Sequence, residues 1–123
     1  MKEETLLAQA WAAREMAYAP YSGYRVGAAL LAASGQVYTG CNIENASFGA
    51  TICAERVAAV KAVSHGEQCF TSLAVVADGP SLPAPCGICR QFLSEFGQDL
   101  QIILANRQGQ LEQVRLQELL PGA

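Results

Sequence analysis

Residues 69–77 read Cys-Phe-Thr-Ser-Leu-Ala-Val-Val-Ala and close on an unbroken apolar run, Leu73 to Ala77. A strand with one wet face alternates apolar and polar side chains, whereas a run without polar positions suits a strand covered on both faces. Cys69–Ala77 is therefore expected as a central strand with helices above and below it. The flanking segments supply those helices. Residues 3–18 space Leu6, Leu7, Ala10, Trp11 and Ala17 along one helical face, and Pro20 with Ser22-Gly23 ends the run. Residues 52–64 carry Ala54, Val57, Ala58, Ala59, Val60, Ala62 and Val63 on nearly every side, which predicts a helix buried all round and closed by His65-Gly66. Pro85 introduces a third helix over Cys86–Phe96.

The other segments read as strands and loops. Val26–Ala33 and Gln36–Gly40 form a hairpin about Ser34-Gly35, and Gln101–Asn106 and Leu111–Arg115 pair about Gly109. Leu116–Leu120 is a short helical turn, residues 41–50 an Asn-, Ser- and Gly-rich loop, and residues 78–85 a Pro-rich loop. The order α-β-β-α-β-α-β-β predicts an α/β fold, three layers α/β/α about a mixed five-stranded sheet, in one domain spanning 1–123.

A chain of 123 residues can bury a core without disulfide staples. Hydrophobic residues make up 51% and charged residues 15%, against about 25% charged in a typical domain, which excludes a disordered tail and leaves a monomer with an apolar surface. The net charge of −3 argues against a general nucleic-acid or membrane-surface binder. Lys2, Glu3, Glu4, Arg14 and Glu15 interrupt any apolar stretch of an export signal, and Val26–Ala33 is too short to span a bilayer. The expectation is a soluble cytoplasmic protein with reduced thiols. Its five cysteines are an odd number, so no disulfide framework can pair them all within one chain.

Three segments carry chemistry: Cys53-Ala54-Glu55-Arg56, Pro85-Cys86-Gly87-Ile88-Cys89-Arg90 and Cys41-Asn42-Ile43-Glu44-Asn45-Ala46. Cys86 and Cys89 at a helix start can chelate a metal, since exposed N–H groups and the helix dipole favour thiolates there. A redox dithiol has the same spacing but needs no third cysteine, and Cys53 begins a helix of its own. Three thiolates leave tetrahedral Zn²⁺ one ligand short, the pattern of a catalytic site open to water. His65, about three helical turns beyond Cys53, reads as a solvent-side helix end instead of a fourth ligand. Glu55 lies near the metal without ligating it, in position for general acid/base work, because a carboxylate in apolar company is costly unless used. Three thiolates on a dication sum to −1. Arg56 and Arg90 can offset that charge, Arg56 by hydrogen-bonding a cysteine sulfur; for either one the alternative is a surface salt bridge. Cys41 and Cys69 read as small apolar core residues without a role.

Cys-Ala-Glu followed by Pro-Cys-x-x-Cys resembles the zinc-dependent cytidine deaminase superfamily, a signature that admits a three-cysteine version. Residues 41–46 are similar to the nucleoside-recognition loop of its small members, and Met16–Gly27, Val26–Leu31 and Glu118–Ala123 extend the likeness nearly end to end. The resemblance implies a cytidine deaminase-like fold with one zinc per subunit on Cys53, Cys86 and Cys89. It implies attack by zinc-activated water on C4 of cytidine or deoxycytidine, with Glu55 as the proton shuttle. Asn42 and Glu44 would hold the ribose by its 3′-hydroxyl, the Ala54 N–H would meet the pyrimidine carbonyl, and Tyr24 would pack on the ligand. Phe48 would reach toward a neighbouring subunit's site. Cys53 in place of histidine is similar to the homotetrameric branch, and the end at Pro121-Gly122-Ala123 lacks an aromatic residue that many relatives place over a neighbour's site. The partners implied are a small-molecule nucleoside and further copies of the chain, with no nucleic acid and no membrane. Three alternatives remain beside this reading: a sibling deaminase acting on blasticidin S, a polynucleotide editor, and a redox or structural zinc module.

Overall fold

The computed structural model describes residues 2–97 and 99–119. The expected end at Pro121-Gly122-Ala123 and the last residue of the expected turn at Leu120 lie outside the described residues. The elements are α1 (Glu3–Arg14), β1 (Val26–Ala32), β2 (Val37–Cys41), a 3₁₀ turn (Phe48–Ala50), α2 (Ala54–Ser64), β3 (Phe70–Ala77), α3 (Gly87–Ser94), β4 (Gln101–Asn106), β5 (Leu111–Arg115) and α4 (Leu116–Leu119). The sheet has five strands in the order β2-β1-β3-β4-β5. Among the described residues only the β3–β4 pair is parallel, so the sheet is mixed as expected.

β3 is central, and its run Leu73–Ala77 is buried on both faces. Side chains alternate across a strand. Leu73 and Val75 join Leu30, Ile102, Leu104 and the alanines of α2 in one core. Ala74 and Val76 join Ala29, Ile103, Ala105, Leu6 and Ala10 of α1 in the other. The three-layer reading holds.

Three helices differ from expectation, α3 by running Gly87–Ser94 instead of Cys86–Phe96. α1 stops at Arg14, not residue 18, because the next turn is drawn into pairing with the loop after β2. The Tyr18 N–H donates to the Asn42 carbonyl (3.0 Å), and the Glu44 N–H donates to the Tyr18 carbonyl (2.8 Å). α2 is not buried all round: Val60 is 45% exposed and Lys61 faces solvent, while Ala54, Ala58, Ala59 and Ala62 pack on the sheet and Glu55 is buried. Apolar composition overstated its burial, since small alanines supply the packed face and a valine is left outside. Cys69 is likewise exposed, because β3 begins one residue later; Cys41 is half-buried on the outer strand β2.

Helix depth is set by backbone contact at two glycines. A Cβ at Gly40 would stand 2.5 Å from the Ala54 carbonyl oxygen and 2.6 Å from the Ala58 nitrogen; one at Gly27 would stand 2.1 Å from the Ala10 carbonyl oxygen. α2 and α1 therefore lie directly against the sheet on its two faces. At the end of β3, Asp78 gathers Arg14 from α1, Arg25 (Nε–Oδ2 3.0 Å) and Arg107 (Nε–Oδ1 3.1 Å). Burial alone would raise the Asp78 carboxyl, but hydrogen bonds from Arg14, Arg25 and Arg107 hold it down to about 2.

Gly40→Ala is expected to cost about 1–3 kcal/mol in chemical denaturation, because neither backbone can yield. Asp78 has a folded-state value below its ordinary 3.8, so its stabilisation is present above that value and disappears as pH falls toward 2. Asp78→Asn should cost about 1–2 kcal/mol at neutral pH, allowing for screening at the exposed Arg107. Denaturation midpoints of the two proteins should converge between about pH 4 and pH 2.

Candidate metal centre and ligand cavity

The register pairs Val26 with Ala77 and Gly27 with Cys41, so the segments entering β1, leaving β2 and leaving β3 meet at one end of the sheet. α2 and α3 both begin there. Cys53 is the N-cap of α2 and Cys86 the N-cap of α3, where its sulfur accepts the Cys89 N–H (3.5 Å). Ile52 does not start the helix, because its backbone exchanges hydrogen bonds with Ile43 (2.9 Å each way). That bridge leaves Cys53 at the helix entrance, facing α3.

The Cys53–Cys86 sulfur separation is 3.7 Å, and that of Cys86 and Cys89 is 3.3 Å. All three sulfurs lie within 4.8 Å of one another, the one such cluster of His, Cys, Asp or Glu ligand atoms among the described residues. Sulfurs bound about 2.3 Å from one tetrahedral zinc stand roughly 3.8 Å apart, so donor type and spacing both fit zinc. The thiols share protons: Cys53, bonded by Cys89 despite burial and favoured also by Cys86 and Arg56, falls to about 5, while Cys89 is pushed up. The Cys53 and Cys89 thiols raise the Arg56 guanidinium against its burial. Its Nη2 donates to the Thr51 carbonyl (3.2 Å), and its buried Nε has no hydrogen-bond partner. Arg90 turns elsewhere, donating to the carbonyls of Pro85 (2.8 Å) and Leu119 (3.2 Å). Among the described residues Arg90 forms no salt bridge.

Beside the sulfurs opens a cavity of about 480 Å³. Tyr24, Asn42, Glu44, Cys53, Ala54, Glu55 and Cys86 line it. Glu55 is 5% exposed. Burial pushes its carboxyl up to about 7, opposed by its own N–H, with the Cys53 thiolate adding to the rise and Arg56 working against it. A bound cation would lower it again. Asn42 is tied at both ends: its Oδ1 accepts the Val26 N–H (2.9 Å), and its Nδ2 donates to the Tyr24 carbonyl (2.8 Å). Each end keeps one further hydrogen-bonding position. Glu44 accepts the N–H groups of Tyr21 (2.9 Å) and Ser22 (3.1 Å) and the Ser22 hydroxyl.

The structure does not bring Phe48 to this cavity. It is 89% exposed and lines a second space of about 380 Å³ with Tyr21, Ser22 and Thr51. His65 sits exposed at the far end of α2, as expected. Leu82, Pro83 and Ala84 also line the main cavity but carry no reactive group. Their signal was the Pro-x-Pro immediately before Cys86, which stiffens the approach to α3.

Two helix N-termini, three sulfurs and one buried carboxyl on a small cavity define a metal-centred site of hydrolytic type. Residues 1–105 match the family model of the cytidine and deoxycytidylate deaminase zinc-binding region, and the chain belongs to that family. It is 50% identical over 124 aligned positions to a cytidine deaminase of Sporosarcina psychrophila, covering 100% of this chain and 91% of that one. Its structure is similar to the crystal structure of cytidine deaminase from Burkholderia pseudomallei, with a TM-score of 0.96, 45% identity, and coverage of 100% and 99% of the two chains. It is also similar to that of the enzyme from Mycobacterium tuberculosis, with a TM-score of 0.86, 40% identity, and coverage of 100% and 97%.

Zinc-loaded protein should expose one fast-reacting thiol, Cys69, with Cys41 slow because burial raises it. Chelation should add three thiols together, counted with an aromatic disulfide reagent; an increment of two would indicate a dithiol site. Cys41→Ser and Cys69→Ser should leave zinc stoichiometry unchanged.

Proposed function

We propose that this chain catalyses zinc-dependent hydrolytic deamination of cytidine and deoxycytidine to uridine and deoxyuridine, releasing ammonia, in pyrimidine salvage. The observation that carries the reading is the pairing of a buried carboxyl beside a three-sulfur cluster with a polar wall, Asn42 and Glu44, across one cavity. Cys53, Cys86 and Cys89 hold the zinc, one ion per subunit. Zinc, when bound, supplies a Lewis acid that makes water nucleophilic near neutral pH.

Glu55 does the proton work. Its carboxylate takes a proton from the attacking water and delivers it to ring N3, then passes the second proton to the departing amine. The C4–N bond breaks, a C4–O bond forms, and ammonia carries the nitrogen away. Burial at 5% exposure keeps bulk water from competing for that proton. The Ala54 N–H belongs to the first residue of α2, has no partner within the helix, and is free to meet the pyrimidine carbonyl. Asn42 and Glu44 hold the ribose, and Tyr24 packs on the ligand. Arg56 offsets the negative charge of three thiolates on a dication.

A homotetramer in the cytoplasm completes the reading. Met16 is 78% exposed, Tyr21 64%, Phe48 89% and Ile88 65%, an apolar surface that favours association. Phe48 then reaches toward a neighbour's cavity. Reduced thiols at the cluster suit a reducing compartment. Among the described residues no helix is long and apolar enough to cross a membrane.

The direct test is the loss of cytidine absorbance on conversion to uridine, with blasticidin S run in parallel. Cytidine and deoxycytidine should be the better substrates, and a zinc-loaded protein inactive on both would overturn the proposal. Glu55→Gln should keep zinc and lower kcat by about 10²–10⁴-fold. Arg56→Ala should weaken zinc retention or activity by about 10–100-fold, read by metal analysis and turnover. Solution mass should give four chains with one zinc each.

A further inference from the structure

Glu44 stands between the two cavities, lining both. An ionised carboxylate accepts at about four lone-pair positions. Here three are filled, all from one turn: Oε1 takes the N–H groups of Tyr21 (2.9 Å) and Ser22 (3.1 Å), and Oε2 takes the Ser22 hydroxyl. The direction of that last bond is forced. An ionised carboxylate can only accept, so the Ser22 hydroxyl gives its single proton to Glu44, while its Oγ accepts the Tyr24 N–H (3.0 Å). One turn thus fixes the carboxylate and leaves one acceptor position on Oε2. Tyr24, whose N–H completes the chain, lines the main cavity as well.

We infer that Ser22 is a positioning residue: its hydroxyl fixes the Glu44 carboxylate as an acceptor with one vacancy for the sugar hydroxyl. The inference rests on the deaminase reading above, which places the ribose there. A hydroxyl brings the proton the vacancy needs. An ether or phosphate oxygen brings none, and a phosphate also meets a like charge. Without the Ser22 hydroxyl the two amides still hold Oε1, but Oε2 loses its orientation and offers both positions to water.

The test is a cycle between protein and substrate, with kcat and KM measured for cytidine and for 3′-deoxycytidine. Ser22→Ala, and beside it Ser22→Gly, should raise KM for cytidine about 5–20-fold with kcat within about twofold, the scale of one hydrogen bond to a charged group. For 3′-deoxycytidine KM should move less than about twofold, because the partner hydroxyl is missing. Ser22→Thr keeps the hydroxyl and should stay near wild type. Equal changes on both nucleosides, a fall confined to kcat, or loss of zinc in both deletion variants would overturn the inference. Failure of the wild type to deaminate cytidine would overturn the deaminase reading instead.

Discussion

Three sulfurs within 4.8 Å of one another cannot all carry negative charge without nearby positive charge. Much of the surrounding structure answers that constraint. α2 and α3 start at the same sheet end, so two sets of free N–H groups point at the cluster. Arg56 follows Glu55 on α2, and the Cys53 and Cys89 thiols hold its guanidinium charged despite burial. The sheet holds α2 at the required depth because Gly40 lets backbone meet backbone. The same helix start that positions Cys53 also buries Glu55, so the burial that raises its carboxyl comes from the fold and not from a dedicated device.

Much of this was legible in the sequence because it depends on local pattern. The apolar run Leu73–Ala77 identifies a two-sided central strand whatever surrounds it, and the mixed three-layer sheet follows from the order of elements. The cysteine spacing identifies helix starts, and the observed N-caps at Cys53 and Cys86 agree. What escaped depends on partners far away in the chain. α1 stops early because Tyr18 pairs with the loop at 42–44. α2 leaves Val60 outside because the sheet covers one alanine-rich face. Cys69 lies exposed just outside the strand expected to bury it.

The site shows the same division. Residue types announced the three-sulfur cluster and the carboxyl beside it, but not the bonds that hold the polar side chains of the cavity. Asn42 was legible as a polar loop residue; its double tie to Val26 and Tyr24 was not. Arg90 adjoins the cluster in sequence, yet its guanidinium serves two backbone carbonyls. Adjacency in sequence made both arginines candidates for charge compensation, but it could not show that backbone carbonyls hold Arg90.

The Asp78 cluster lies at the same end of the sheet as the cavity. It links Arg25, next to Tyr24, to the segment that runs from β3 toward Leu82–Ala84. Two opposing cavity walls are thereby braced to each other and to α1. Their conformational freedom is surrendered when the chain folds, so a ligand meets surfaces already in register and loses less entropy in ordering them. A charge cluster outside the cavity thus bears on affinity through rigidity.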